Sequence, residues 1–340
     1  MINFNNTDRI LIVRLSSLGD ILLSTPLIRS IKKMFPHVKI DYLLREEYKD
    51  VLINNPYINK LFLFKRNDSN YIPDELSSNS YDLVIDLQNN FRSAGIRKKL
   101  KTSNLKTFNK RTLDKLLLVN FKINRLKDSG QIPERYAESV DGFNLDGDGL
   151  DLFTGNETAS INGREKDYIG FAPGSRHFTK TWPEDYYISL GKKLSDEGKT
   201  VVLFGGKEDM KICEEISKSI FNSIDLSNNN NLLLTAVNMK ECKAVVCNDS
   251  GLMHTACAMQ VPVLALFGST VREFGFTPYN NRNFKPEAYQ PLAEILENKT
   301  LSCRPCTHIG RESCPKKHFK CMLELTPEVA FNKLKELINS

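Results

Sequence analysis

Short β-branched runs alternate with amphipathic stretches along this chain, and the rhythm occurs in two successive sets. In the first half the strand candidates are Arg9–Leu15, Lys39–Leu44, Leu61–Phe64, Leu83–Leu87 and Leu105–Phe108, with a helix expected at Ile21–Met34. The second half offers Tyr168–Ala172, Val201–Phe204, Ala244–Cys247 and Val263–Phe267, with helices expected near Glu184–Glu197, Lys207–Ile220, Leu232–Cys242 and Leu252–Met259. Such alternation predicts an α/β protein with parallel sheets covered on both faces by helices, built twice as two Rossmann-like, doubly wound domains. The stretch from Asp141 to Lys166, rich in Gly, Asp, Asn and Thr, is the natural linker. The expected division is therefore a first domain over 1–150, a linker over 151–166 and a second domain over 167–326. A closing helix over 327–340 is expected to pack back on the first domain. Two such domains facing each other leave a cleft at the carboxyl ends of their strands, where ligands bind.

The 340 residues and 41% hydrophobic content suffice for two buried cores. No apolar run approaches the roughly 18 to 20 residues that span a bilayer. The N-terminus is polar before Ile10, without the basic and apolar order of a signal peptide, so the expected location is cytoplasmic. That setting argues against disulfides among the eight cysteines. The net charge of +6 is mild, but its distribution is uneven: between Arg92 and Lys127 stand twelve Lys or Arg against one acid, Asp114. Such a stretch is either a solvated lysine-rich face or a surface for an anionic partner. With no RNA-binding signature or helix-turn-helix pattern, nucleic acid is the least supported partner.

Strand-like Ala244–Cys247 runs straight into Asn248-Asp249-Ser250-Gly251-Leu252-Met253-His254. An acid, a hydroxyl, a glycine and a histidine thus gather around one helix N-terminus, where free N–H groups and the helix dipole favour a phosphate. The plainer alternative is that Asp249 or Ser250 only caps the helix and His254 packs. The first strand ends in Arg14-Leu15-Ser16-Ser17-Leu18-Gly19-Asp20. Asp20 then serves either as an N-cap or as a carboxylate base facing the cleft, with Gly19 allowing close approach. After Tyr168–Ala172 comes Pro173-Gly174-Ser175-Arg176, followed by Thr179, Lys180 and Trp182-Pro183, a cluster of donors with two cations that suits a diphosphate leaving group. Gly205-Gly206-Lys207-Glu208-Asp209 puts acids after a strand, where they accept ribose hydroxyls or favour a helix N-terminus. Neither a P-loop nor a G-x-G-x-x-G fingerprint is present. Asp146-Gly147-Asp148 has the D-x-D spacing of metal-dependent sugar transferases, but it falls in the linker and reads as a turn. Cys303-x-x-Cys306, Cys314 and Cys321, with His308 and His318 between them, have spacing compatible with a structural zinc or iron site. The alternative is four reduced thiols in a loop that orders the approach to the last helix. The segment 279–298 matches no motif.

Taken in order, R-L-S-S-L-G-D, Y-D-L-V-I-D-L-Q at Tyr81–Gln88, A-P-G-S-R-x-x-x-K-x-W-P, N-D-S-G-L-M-H and A-L-F-G-S-T resemble glycosyltransferase family 9, the ADP-heptose:lipopolysaccharide heptosyltransferases. The resemblance covers roughly Arg9 to Gly268 and the last helix. Within the family, the P-G-S-R and N-D-S-G-L-M-H segments are most similar to the second heptosyltransferase of inner-core assembly. The resemblance implies a GT-B fold, with the acceptor on the first domain and the nucleotide sugar on the second. It also implies inverting transfer of heptose from ADP-heptose without a catalytic metal. Asp20 matches the family's base. Ser175, Arg176 and Lys180 match its phosphate loop, Asp249, Ser250 and Gly251 its donor turn, and His254 the histidine one turn later. Glu208 falls near the family's ribose-binding acid, and Ser17, Gly19 and Arg92 fall on the acceptor side. The implied acceptor is the anionic lipopolysaccharide core at the cytoplasmic face of the inner membrane, which gives the basic stretch a specific use as a peripheral contact. Two rivals remain: a transferase of the same fold that heptosylates a protein such as an autotransporter, and a catalytically silent sugar-nucleotide binding module. The retained Asp20 speaks against the silent module.

Overall fold

Every strand pair in both large sheets is parallel, as strands buried on both faces require. The computed structural model describes residues 4–65, 74–102, 104–164, 166–280 and 293–339. The chain divides into two compact units: Met1–Arg111 with Gly130–Phe153, and Thr112–Ser129 with Thr154–Ser340.

In the first unit, β1 (Arg9–Val13), β2 (Lys39–Arg45), β3 (Lys60–Phe64), β4 (Leu83–Asp86) and β5 (Leu105–Thr107) lie in the order β3-β2-β1-β4-β5. The chain leaves β1 towards one edge and returns to β4 on its other side, so the order reverses between β1 and β4. Crevices at such a reversal are where doubly wound sheets bind ligands. The expected single helix at Ile21–Met34 is instead two, α1 (Leu18–Leu22) and α2 (Thr25–Met34). The break has a local cause: Pro26 lacks an N–H, while Ser24 Oγ and Thr25 Oγ1 donate to the carbonyls of Ile21 and Leu22 at 2.7 and 2.8 Å. Asp146 and Asp148 form the expected turn. Arg29 and Lys33 of α2 bind them, with Arg29 Nε and Nη2 each 2.7 Å from the Asp146 carboxylate and Lys33 2.6 Å from Asp148. Arg29 also reaches Asp151 at 2.5 Å.

The second unit orders β6 (Tyr168–Ala172), β7 (Thr200–Leu203), β8 (Ser223–Asp225), β9 (Ala244–Asn248), β10 (Val263–Phe267) and β11 (Ala293–Glu297) as β8-β7-β6-β9-β10-β11, with the reversal between β6 and β9. Sequence reasoning missed both edge strands. β8 has only three residues, and β11 (Ala-Glu-Ile-Leu-Glu) is half-buried throughout, so neither carries a continuous apolar run. Most of the 279–298 segment lies outside the described residues.

Two expectations are corrected here. The closing helix, Pro327–Asn339, packs into the core of the second unit. Its Ala330, Leu334 and Leu337 join the core that holds Leu190 and Leu194, and Lys335 pairs with Glu197 at 2.7 Å. Residues 112–129, expected inside the first domain, group with the second unit, because Leu118 and Leu126 bury against Phe274 with Val271 and Phe276. Lys122 adds a hydrogen bond to Pro305 O at 2.6 Å. Among the described residues no helix is long and apolar enough to cross a membrane.

Candidate functional site

At the reversal point of the first sheet, Asp20 stands as the third residue of α1, with Ser17 in the cap position. The capping box puts Asp20 Oδ2 on the Ser17 N–H at 3.0 Å and on the Ser17 hydroxyl at 2.8 Å. The other carboxylate oxygen, Oδ1, receives Arg14 Nη2 at 2.6 Å, and the Asp20 side chain is 15% exposed. Burial alone would push this carboxyl up. The Arg14 guanidinium and the two Ser17 hydrogen bonds outweigh burial and hold it below the usual carboxylate range. Asp20 is thus not the N-cap, although it does support the helix start, and it is a fixed carboxylate with one face towards solvent.

Arg14 is itself buried at the end of β1, donating to Leu87 O at 2.7 Å and lying over the ring of Tyr136. Gln88 Oε1 accepts from Leu15 N at 3.0 Å and so ties the ends of β1 and β4 together. Buried Asp86 caps the following turn through Gln88 N and Asn89 N, and pairs with Arg97 at 2.9 Å. Half-buried Lys110 lies within range of these charges. Burial first, and then the charge of Arg14, lower its pKa, against the opposing pull of Asp86 and Asp20. Sequence reasoning counted Lys110 only as one charge of the basic stretch. Ser17 and Arg92 are exposed and Gly19 is buried. Within the basic stretch, Arg97 and Lys106 are spent on Asp86 and Asp141, while Lys98, Lys99 and Lys101 are exposed.

The second unit brings together most of the expected donor-side residues. Lys180 closes a short 3-10 turn (Phe178–Lys180) and pairs with Asp249 Oδ2 at 2.8 Å. Thr270 Oγ1 donates to the same oxygen at 2.7 Å. Ser250 occupies the cap position of the helix Gly251–Ala258, yet its hydroxyl makes no cap bond and has no hydrogen-bond partner. The capping alternative therefore does not describe this helix start, whose first N–H groups are left for another acceptor. His254 is buried one turn in. Ser175 is half-buried and Arg176 exposed in the loop before the turn.

Sequence reasoning missed Asn248. It is fully buried, and its amide donates to Pro173 O at 2.8 Å while its oxygen accepts from Trp182 N at 3.0 Å, so one side chain at the end of β9 pins both ends of the 173–182 loop. The only signal was the Asn that opens N-D-S-G. Glu208 is exposed, and its neighbour Asp209 is the acid that meets the loop. A Cβ on Gly174 would lie 2.3 Å from the Asp209 carboxyl group, and burial, helped by the charge of Glu208, pushes that carboxyl up.

All eight cysteines are free. Cys303, Cys306, Cys314 and Cys321 share the segment before the last helix, with Cys303 Sγ 3.8 Å from His318 Nε2. Among the described residues no group of three or more His, Cys, Asp or Glu stands ready to hold a metal ion. Cys321 is buried at the start of a short helix and the other three are half-buried in the loop, with all four thiols near enough to act on one another's charge: burial first, then the neighbouring thiols, push Cys306 and Cys321 up, against the lowering pull of Arg311 and Arg304.

Residues 72–317 match glycosyltransferase family 9 (heptosyltransferase). A lipooligosaccharide heptosyltransferase 2 of Haemophilus influenzae is 25% identical across 97% of this chain and 99% of its own length. The lipopolysaccharide heptosyltransferase 2 of Escherichia coli K12 is 28% identical across 78% of this chain and 84% of its own. Among solved structures, E. coli ADP-heptose lps heptosyltransferase II superposes with a TM-score of 0.71 at 24% identity, covering 97% of this chain and 98% of that one, which places the fold with the GT-B transferases.

Proposed function

The chain belongs to glycosyltransferase family 9, and on that premise we propose that it transfers a heptose from ADP-heptose to the inner core of lipopolysaccharide, with inversion and without a catalytic metal. The observation that carries this reading is the Asp20 carboxylate at the reversal point of the first sheet, fixed by Arg14 on one oxygen and by an exposed serine on the other. An acceptor hydroxyl takes the place of the Ser17 hydroxyl on Oδ2. Its oxygen then bonds to the anomeric carbon as the bond from that carbon to the β-phosphate oxygen breaks, and its proton passes to Asp20. Arg14 keeps Asp20 ionised and ready.

The leaving ADP carries growing negative charge. Lys180, Arg176 and the uncapped N–H groups from Gly251 supply the compensating charge on the second unit. Lys180 rests on Asp249 until the diphosphate arrives. The similarity to E. coli ADP-heptose lps heptosyltransferase II supports the choice of donor.

The enzyme works in the cytoplasm, peripheral to the inner membrane. In support, Lys98, Lys99 and Lys101 are exposed, and the helix Thr112–Phe121 turns Leu113, Leu116 and Phe121 outward, each at least 45% exposed. Exposed lysines on the one unit and exposed apolar side chains on the other each suit an anionic bilayer surface.

The test is to incubate the purified protein with ADP-heptose and a panel of truncated core acceptors and to read the products by mass spectrometry. The expected result is one added heptose on an inner-core acceptor with stoichiometric release of ADP. Turnover with no mass gain on any core acceptor, or gain only on a protein acceptor, overturns the assignment of the acceptor.

A further inference from the structure

A buried guanidinium outside the proposed chemistry holds the donor loops in place. Arg304, the first residue between Cys303 and Cys306, is 9% exposed. Its Nε donates to Gly268 O at 2.6 Å and its Nη2 to Thr270 O at 2.8 Å, to Phe267 O at 3.3 Å and to Glu297 Oε2 at 2.9 Å. Its Nη1 donates to Asn298 O. Three of these acceptors are carbonyls of one loop, Phe267 to Thr270, at the carboxyl end of β10. A cation taken out of water is retained only when its donors are met, and here most of them define the shape of a single turn.

That turn is in direct contact with the donor residues. Thr270 Oγ1 donates to the Asp249 oxygen that also receives Lys180. Ser269 donates through its hydroxyl to Thr179 Oγ1 at 3.0 Å and through its N–H to Thr179 O at 3.2 Å, the residue before Lys180. There is no slack between the two segments, since a Cβ on Gly268 would lie 2.6 Å from the Thr179 carbonyl oxygen. From the other side, Thr179 exchanges hydrogen bonds with Arg311, and Cys306 N donates to Ser269 O at 3.3 Å.

We propose that Arg304 is a positioning residue for the donor phosphates. Its fork fixes the 267–270 turn, the turn fixes Thr179 and Asp249, and these hold the Lys180 amine where the diphosphate is bound. The cysteine-rich segment is then the frame that carries this arginine. A lysine keeps the charge but cannot reach four carbonyls and a carboxylate at once. The inference rests on the reading that the Lys180 loop receives ADP.

The experiment is calorimetric titration of ADP into the full chain and its variants, with donor and acceptor KM measured in parallel. Arg304→Lys should raise the ADP Kd by about tenfold or more, the scale of a lost charge-assisted contact. Its acceptor KM should stay within about twofold and its melting temperature near the parent's. Thr270→Val should show the same donor-only loss, and the double variant should be little worse than either single, because both act through Asp249. Arg304→Lys with the parental ADP Kd, or with donor and acceptor KM damaged equally alongside a fall in Tm, overturns the proposal. If Arg304→Lys fails to fold, Glu297→Gln is read in the same assay, since it keeps the shape but weakens the anchor; a donor-only loss supports the proposal and parental ADP affinity overturns it. A parent that binds no ADP sinks the donor assignment itself, whereas a parent that binds ADP as tightly as Arg304→Lys sinks only the role of Arg304.

Discussion

Arg14 Nη2 lies 2.6 Å from Asp20 Oδ1, joining the residue just past a buried strand to the first turn of the helix that follows it. The pair has two effects on the proposed reaction. It keeps Asp20 charged despite burial, and it leaves Oδ2, held by exposed Ser17, as the oxygen open to exchange. A base whose pKa is lowered in the free protein takes the acceptor proton late, as the new bond forms.

Asp20→Asn keeps the size of the side chain and a partner for Arg14 but cannot take a proton. We expect kcat to fall by about 10²- to 10⁴-fold, the usual worth of a general base, with ADP affinity close to the parent's and a lower Tm, because buried Arg14 loses its charge partner. Were Asp20 only a helix-start residue, Asn would turn over nearly normally. Retention of more than about a tenth of parental kcat removes it from the mechanism.

The pH dependence follows from the same pair. The Asp20 pKa is lowered on folding, so its contribution to stability is fully present above the unfolded value of about 3.9 and is lost as pH falls through the folded value. The acid limb of kcat/KM due to this group should therefore lie below the ordinary carboxylate range. In Arg14→Gln, burial is no longer opposed by the cation, so the acid limb should move to higher pH and neutral-pH stability should drop. Identical pH–kcat/KM profiles for parent and variant would contradict this pairing.

For Lys180→Ala, ADP should bind more weakly by about 1.5 to 3 kcal/mol, the range of a charge-assisted contact, because the variant also leaves the Asp249 carboxylate facing the diphosphate. Calorimetry decides it. Unchanged ADP affinity would remove Lys180 from the phosphate site.

Neutralising Lys98, Lys99 and Lys101 together should raise KM for a lipid-linked acceptor and flatten its dependence on salt, since exposed charges are screened over about 8 Å at physiological ionic strength. KM for ADP-heptose should hardly change. Equal effects on both substrates would point to a damaged fold.

The sheets were legible because parallel strands buried on both faces leave continuous apolar runs such as Tyr168–Ala172 and Val263–Phe267. Edge strands leave none, which hid Ser223–Asp225 and Ala293–Glu297. Asp20, Lys180 and Asp249 were legible as candidates because they follow strand ends, and doubly wound sheets bind ligands at such ends. Asn248 and Arg304 could not, because they hold loops whose bonded groups lie 66 to 75 and 34 to 37 positions away, and no local pattern marks such a bond. The split helix shows the local case: Pro26 was visible, but the side-chain hydrogen bonds of Ser24 and Thr25 decided where the break fell.

The affiliation of residues 112–129 with the second unit has a consequence for biosynthesis. These residues leave the ribosome before Gly130–Phe153 completes the first unit, yet Leu118 and Leu126 have their apolar partners at Val271, Phe274 and Phe276. At about 5 to 20 residues per second, the nascent chain carries that helix without its packing partners for roughly 7 to 30 seconds. During that interval its leucines are a natural binding site for a chaperone that shields apolar segments, and the first unit must close around an insertion that is still waiting for the rest of its own domain.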